Sequence, residues 1–162
     1  MPRFVIQQHA ATGMHWDFRL EVDGTFKSWA VPKGPSTDPR DKRLAMEVDD
    51  HSLSWGDFEG VIPDGEYGAG PVIVWERGTY ENLREESMAE ALEAGHASFW
   101  LEGEKLRGGW SLRRTGGGRK WLLVKRRDEE ADARRRPTRT QPQSVVSGRT
   151  IEEVRSGRSG EH

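Results

Sequence analysis

The sequence predicts an all-β domain: a compact antiparallel β-barrel of about eight strands with one short helix. Three observations carry that expectation. Apolar and polar residues alternate with a period of two over long runs. The strongest short hairpin signal, Asp23-Gly24, directly follows the clearest of these runs. The tryptophans (Trp16, Trp29, Trp55, Trp75, Trp100, Trp110 and Trp121) all lie before residue 122, so large rings can build a core in the first three quarters of the chain.

The first strand is expected over Arg3–His9. His15 to Val22 then alternates without a break: Trp16, Phe18, Leu20 and Val22 face one way, His15, Asp17, Arg19 and Glu21 the other. After Asp23-Gly24 the third strand runs from Thr25 to Val31 and stops at Pro32. The fourth spans Arg43 to His51. Leu44, Met46 and Val48 are its expected apolar face; Arg43, Glu47, Asp49 and His51 share the other. Val72–Glu76, Ala97–Glu102, Lys105–Arg114 and Arg119–Arg126 complete the set, with Gly116-Gly117-Gly118 turning between the last two. Ser87 and Glu90 fit a capping box, Met88, Ala91 and Leu92 form an apolar stripe, and Gly95 stands where a helix stops. Antiparallel strands in this number favour a closed or nearly closed barrel, which limits exposed edges.

Residues 1–127 are expected to hold the barrel and 128–162 a mostly disordered, charged tail, read either as a solvated extension or as an arm that touches nucleic acid through its arginines. Aromatics vanish after Arg127, and Arg134-Arg135-Arg136-Pro137 leads into a run of Ser, Thr, Gln, Gly and Arg that cannot build a core. On this reading, deleting the tail leaves the thermal midpoint nearly unchanged. The chain has no Cys, which excludes disulfide and thiolate chemistry and fits a reducing compartment. No apolar run approaches the roughly 20 residues that span a bilayer, and MPRFVIQQHA lacks a signal-peptide h-region. The expectation is a soluble cytoplasmic protein, nucleoid-associated and monomeric, with no membrane partner. Net charge is −2, so no global basic field announces nucleic acid, and any such contact must come from a local cluster.

Chemistry concentrates around three histidines. His15 and Asp17 project from one strand face, and a hairpin across Gly13 returns His9 close to them. Two imidazoles and a carboxylate suit Mn²⁺, Zn²⁺ or Fe²⁺ with positions left open. Arg19 continues the same face, and a guanidinium beside a metal is what a phosphate needs. Gln7 shares the parity of His9; Arg43, Asp49 and His51 share one parity on the fourth strand. Lys33 sits in Pro32-Lys33-Gly34-Pro35, a loop stiffened by two prolines. Asp64 to Gly70 is glycine-rich but lacks the Lys and Ser/Thr of a phosphate loop, and reads as a barrel turn. Two other readings stay open: a non-catalytic nucleic-acid-binding barrel with aromatic stacking platforms, and a non-haem iron barrel using the same ligand set.

From Arg3 to about Asp128 the chain resembles the 3′-phosphoesterase domain of bacterial DNA ligase D and its stand-alone bacterial and archaeal relatives. The resemblance is carried by Phe4-Val-Ile-Gln-Gln-His9, His15-Trp-Asp-Phe-Arg-Leu-Glu21, Ser28-Trp-Ala-Val-Pro-Lys-Gly-Pro35, Asp57-Phe-Glu-Gly-Val-Ile-Pro63, Gly65-Glu-Tyr-Gly-Ala-Gly70 and Trp121-Leu-Leu-Val-Lys125. It implies a Mn²⁺-dependent enzyme of end joining that resects 3′-terminal ribonucleosides from a primer strand and removes the remaining 3′-phosphate, leaving a hydroxyl for a DNA ligase. By position, His9, His15 and Asp17 would be the metal ligands, and Arg19 and His51 would hold the scissile phosphate. Gln7, Lys33, Arg43 and Asp49 match further positions around the site. Asp49 stands where the family often has Glu, and Trp55 where it usually has Tyr. Trp offers an indole N–H and no hydroxyl. The strand also begins at Arg3, without the longer arm many ligase D domains carry. Together these departures imply that the 3′-phosphatase step is retained and the 3′-nucleosidase step weakened.

Overall fold

A computed structural model describes residues 1–157. The strands are β1 (Arg3–Ala10), β2 (Met14–Val22), β3 (Thr25–Val31), β4 (Arg43–His51), β5 (Gly60–Ile62), β6 (Gly70–Asn82), β7 (His96–Gly103), β8 (Arg107–Arg114) and β9 (Lys120–Lys125). The helices are α1 (Met88–Ala94), α2 (Pro137–Thr140) and α3 (Ile151–Arg155), with a 3-10 turn over Leu53–Asp57. Neighbouring strands run β1-β2-β3-β4-β9-β8-β7-β6, and β6 pairs back onto β1, so eight antiparallel strands close a barrel. The short β5 is a ninth strand, added to the edge of β6. β6 is much longer than the alternation indicated, because it pairs with β1 along one side while β5 and then β7 use the other. Among the described residues no helix is long and apolar enough to cross a membrane.

The interior is filled by rings. Trp29, Trp75, Trp110 and Trp121 are fully buried, with Phe4, Phe18 and Phe99 among them. Trp29 meets Trp121 edge-on at 5.6 Å, and Phe18 stacks on Phe99 at 5.7 Å. Residues of the opposite parity on β1, β2 and β3, including Gln7, Asp17, Arg19 and Ser28, therefore point out of the barrel. They are nevertheless buried, because the chain between β4 and β6 folds over that wall. A small second cluster of Val5, Phe26 and Val74 seals the fold-over. Helix α1 has the expected cap: Ser87 Oγ accepts from the N–H of Glu90, the Glu90 carboxylate returns the bond, and Gly95 ends the helix at φ 88°.

β4 corrects one expectation. Ala45 is its buried residue and Leu44 is 39% exposed, so Arg43, Ala45 and Glu47 face inward and the expected apolar face turns outward. Ala45 lies opposite Trp121, whose ring meets that of Trp29 at 5.6 Å, so the small side chain is the one that faces the packed rings. The register then slips. Ser28 lies opposite Val48, but Phe26 lies opposite His51, so β4 carries one extra residue. This bulge moves His51 onto the outer face that Ser28 shares with Arg19.

Residues 128–157 correct a second. Expected as part of a mostly disordered tail, they run as an ordered strap along the barrel. Asp132 N–H donates to Thr37 O, and Thr37 Oγ1 returns a bond to Asp132 O. Arg135 Nη2 donates to Lys105 O, Trp75 Nε1 to Gln141 O and Lys105 Nζ to Gln143 O. Val145 N–H donates to Val74 O, and Pro137, Ile151 and Val154 are buried. Helix α3 has its own capping box, Thr150 with Glu153. The composition is poor in apolar residues on average, yet a few anchors at the right places suffice. Residues 158–162, the rest of the expected tail, lie outside the described residues.

Two outcomes test the strap. Replacing both Ile151 and Val154 by Ala is expected to cost about 2–4 kcal/mol. That lowers the thermal midpoint by several degrees, on the order of 2–4 °C per kcal/mol; an unchanged midpoint would mean that the strap does not hold. Burial beneath the strap pushes the Lys105 ammonium down to about 8, against attraction from Glu76 and Glu104. The folded state then binds fewer protons than the unfolded one between about pH 8 and the ordinary lysine value, so stability rises with pH across that window. Lys105→Met should flatten this rise, read as the difference between two urea-denaturation series.

Candidate active site

The hairpin between β1 and β2 places the first three side chains. Its register sets His9 opposite His15 and Gln7 opposite Asp17, on the outer face. The two imidazoles approach to 4.9 Å between ring centres. Asp17 Oδ2 lies 3.2 Å from His15 Nε2 and 3.7 Å from His9 Nδ1. One ligand atom from each of the three falls within 4.8 Å of the others, and this triad is half to fully buried.

Backbone carbonyls orient both rings. His9 Nε2 lies 2.6 Å from Gly68 O, and His15 Nδ1 lies 3.3 Å from Gly13 O. A carbonyl only accepts, so in the neutral rings these nitrogens carry the hydrogens. His9 Nδ1 and His15 Nε2 then present lone pairs toward the Asp17 carboxylate. Three acceptors converging without a donor repel one another unless a proton or a cation sits among them. That is the donor chemistry of a divalent transition-metal site, with the outer carbonyls orienting the ligand rings. Burial works against the charged Asp17, but its contacts with His15 and His9 and the nearby Arg19 charge outweigh it and hold the carboxyl far below its ordinary range. For His15 burial likewise opposes charge, and the Asp17 bond and charge prevail, raising its pKa.

Arg19 is the centre of the adjoining subsite. At 3% exposure its guanidinium donates from Nε to Gln7 Oε1 at 2.7 Å and from Nη1 to Ser28 Oγ at 2.8 Å. Nη2 lies 3.6 Å from Asp17 Oδ2. Gln7 is held in turn, its Nε2 donating to Trp55 O and Phe58 O. His51 Nδ1 sits 3.2 Å from Arg19 Nη1 and 2.9 Å from Asp49 O. Burial, then the Arg19 charge, lower the pKa of His51. The Trp55 ring lies 5.8 Å from that of His51 and stacks on Phe58 at 4.6 Å.

Thus Gln7, His9, His15, Asp17, Arg19, His51 and Trp55 come together on one wall. Three candidates stand apart. Asp49 offers the site its carbonyl, while its side chain is 91% exposed against Arg119. Arg43 faces inward, its Nη2 3.7 Å from Asp41. Lys33 is exposed on the turn after β3, beyond the Val31 that pairs with Trp16 at the His15 end of β2. Sequence reasoning missed Ser28, whose signal was its place opposite Arg19 in the β2–β3 hairpin. It also missed the Gly68 and Gly13 carbonyls, for which side-chain identity carries no signal.

Comparison with known proteins agrees with this geometry. The DNA ligase D 3′-phosphoesterase domain family model matches residues 7–114. The multifunctional non-homologous end joining protein LigD of Pseudomonas aeruginosa is 53% identical over 154 residues, 92% of this chain and 18% of that protein. The LigD end-joining repair protein of Mycobacterium tuberculosis is 42% identical over 127 residues, 78% of this chain and 16% of that protein. LigD of Mycolicibacterium smegmatis is 39% identical over 132 residues, 79% of this chain and 17% of that protein. The chain thus spans under a fifth of the length of these relatives.

The opposed shifts of two histidines give a direct test. In the metal-free protein, proton NMR should find His15 titrating above the ordinary imidazole value and His51 below it. In Asp17→Asn the His15 midpoint should fall, because burial then acts without the carboxylate; a His15 midpoint that does not move would refute the pairing.

Proposed function

The chain belongs to the DNA ligase D 3′-phosphoesterase domain family, and on that premise we propose that it is a metal-dependent hydrolase of nucleic-acid 3′ ends. Its substrates are strands ending in a 3′-phosphate or a 3′-terminal ribonucleoside, and its product is a 3′-hydroxyl ready for a DNA ligase in end joining. The observation that carries this reading is the side-by-side placement of the His9–His15–Asp17 triad and the buried Arg19. The family resemblance implies Mn²⁺, and the two imidazoles and carboxylate also suit Zn²⁺.

His9 Nδ1, His15 Nε2 and an Asp17 oxygen would hold the ion. Once bound, it would supply Lewis-acid polarisation of a phosphoryl oxygen and a more acidic water. The protein's own groups do the rest. Arg19, pinned by Gln7 and Ser28, presents a guanidinium that does not have to reorganise when negative charge develops. A phosphate dianion beside His51 would raise the pKa that Arg19 depresses, letting the imidazolium donate to a phosphate or leaving oxygen. Trp55, standing where relatives usually have Tyr, gives His51 an apolar ring and no hydroxyl. A lost hydroxyl contact of this kind is worth about 1–3 kcal/mol when buried. Nucleoside removal needs the strand positioned as well as the phosphate held, so we place the larger effect on that step.

The test is phosphate release from an oligonucleotide ending in a 3′-phosphate, with and without Mn²⁺. Activity should require the ion, vanish on chelation and vanish in His9→Ala with the barrel still folded. Full activity of His9→Ala in metal-limited buffer would overturn the ligand assignment. Trp55→Tyr should raise the rate on a 3′-ribonucleotide primer–template more than the rate on a 3′-phosphate.

A further inference from the structure

The strap carries a charge pattern that the hydrolytic site does not use. From Ala133 to Thr150 there are five arginines (Arg134, Arg135, Arg136, Arg139 and Arg149) and no Asp or Glu, in a chain whose net charge is −2. Two are committed to the strap itself: Arg135 to Lys105 O and Gln141, Arg149 to Glu59. Arg134, Arg136 and Arg139 are exposed, and none lies within ion-pair distance of a carboxylate among the described residues. Arg136 donates to the carbonyls of Ala133 and Arg135, and acts on Asp38, which is already paired with Arg40, only at longer range. Several arginines elsewhere are paired. Arg3, Arg40, Arg84, Arg107, Arg119 and Arg155 each lie against an acidic side chain. Three neighbouring guanidiniums without ion-pair partners, on a fixed segment, form a local positive patch on a protein whose net charge is negative.

The segment is also in the right place. Thr138 packs over the Pro32–Pro35 loop: a methyl group built on Gly34 would lie 2.7 Å from Thr138 Cγ2 and 3.0 Å from Trp16. Trp16 follows His15 at the start of β2, with its side chain toward the interior cluster on the face opposite His15 and Asp17, and the exposed Lys33 adjoins Gly34. Lys33 and the segment carrying Arg136 and Arg139 thus lie at the end of the barrel where β1 ends and β2 begins, the end at which His9 and His15 stand.

We propose that Arg134, Arg136 and Arg139 form a rim that takes the phosphodiester backbone of the strand whose 3′ end lies at the His9–Asp17 site. The proposal rests on the 3′-end reading of that site and adds the surface that holds the rest of the polymer. Arginine forks suit phosphate oxygens and read no bases, so the rim serves any sequence. It is held at both ends, by the Asp132–Thr37 and Gln141–Trp75 bonds, and loses little freedom on binding.

The test separates binding from chemistry. A fluorescent primer–template ending in a 3′-hydroxyl, which cannot be dephosphorylated, is titrated by anisotropy across a salt series. Changing all three arginines to Gln should weaken binding roughly tenfold or more at low salt. It should also reduce the slope of log affinity against log salt by about 2–3, since each phosphate contact contributes about 0.7–0.9. Changing all three to Lys should keep most of that slope. With 3′-phosphate substrates, the Gln variant should raise KM on the long primer–template with kcat unchanged. It should leave turnover of a dinucleotide 3′-phosphate as it was, because that substrate does not reach the rim. Unchanged affinity and salt slope would overturn the rim, as would an equal loss on the dinucleotide. If the unaltered protein releases no phosphate from either substrate, the 3′-end reading fails, while the anisotropy series still decides whether the rim exists.

Discussion

The site is organised by one buried guanidinium. Removing an arginine from water is expensive unless every direction is answered, and Arg19 at 3% exposure is answered by Gln7, Ser28, Asp17 and the ring of His51. These partners come from three strands and a bulge, so satisfying one side chain sets the register of the outer wall. Gln7 completes the arrangement by accepting from Arg19 and donating to two carbonyls of the 52–59 loop. That loop is thereby pulled over the wall, and it brings Trp55 to His51. Asp17 serves both subsites at once, facing the two imidazoles on one side and Arg19 on the other.

The strand pleat explains which parts of this were legible in the sequence. His15, Asp17 and Arg19 lie two residues apart on a strand, and the short hairpin fixes His9 and Gln7 opposite them, so period and spacing alone assemble five of the groups. The barrel class comes from the same alternation, with its ring of tryptophans. β4 escapes this logic because the side chain that faces the packed rings is the small Ala45, and a hydrophobicity pattern reads the larger Leu44 and Met46 as the core. His51 nonetheless falls on the face that the alternation assigns to it, since a face inverted once and then shifted by one residue returns to the correct side. The agreement at His51 is thus a product of two compensating errors. Asp49 lacks that compensation: its side chain points away and only its carbonyl takes part.

The strap was illegible for a different reason. Disorder is inferred from average composition, but the strap is fixed by particular atoms. Ser144 and Ser147 hydroxyls bond to the Glu59 carboxylate, Val145 packs on the Val5–Phe26 cluster, and Ile151 and Val154 are buried. Glu59 directly follows Phe58, whose carbonyl holds Gln7. The fold-over loop is therefore gripped from below by Gln7 and from outside by the strap, which ties the end of the strap to the orientation of Arg19. The capping box at Thr150 and Glu153 was the one local signal that a helix begins there.

The position of the site also bears on what it can accept. Buried rings occupy the barrel interior, and the triad and Arg19 stand on its outer wall. A cleft of about 470 Å³, lined by Asp38, Arg40, Arg127 and Asp128, is elsewhere and is balanced in charge. A small free metabolite usually needs enclosure to gain affinity from buried surface. An outer wall carrying the His9–His15–Asp17 triad and a buried arginine gives little enclosure for that. It is better matched to the protruding end of a polymer, where the reacting group is one phosphate and affinity comes from the rest of the chain. The burial of Arg19 and the exposure of Arg136 and Arg139 are then complementary. The first must be rigid and dry to act on developing charge, and the others can stay solvated because long-range attraction to a polyanion does not require them to be desolvated.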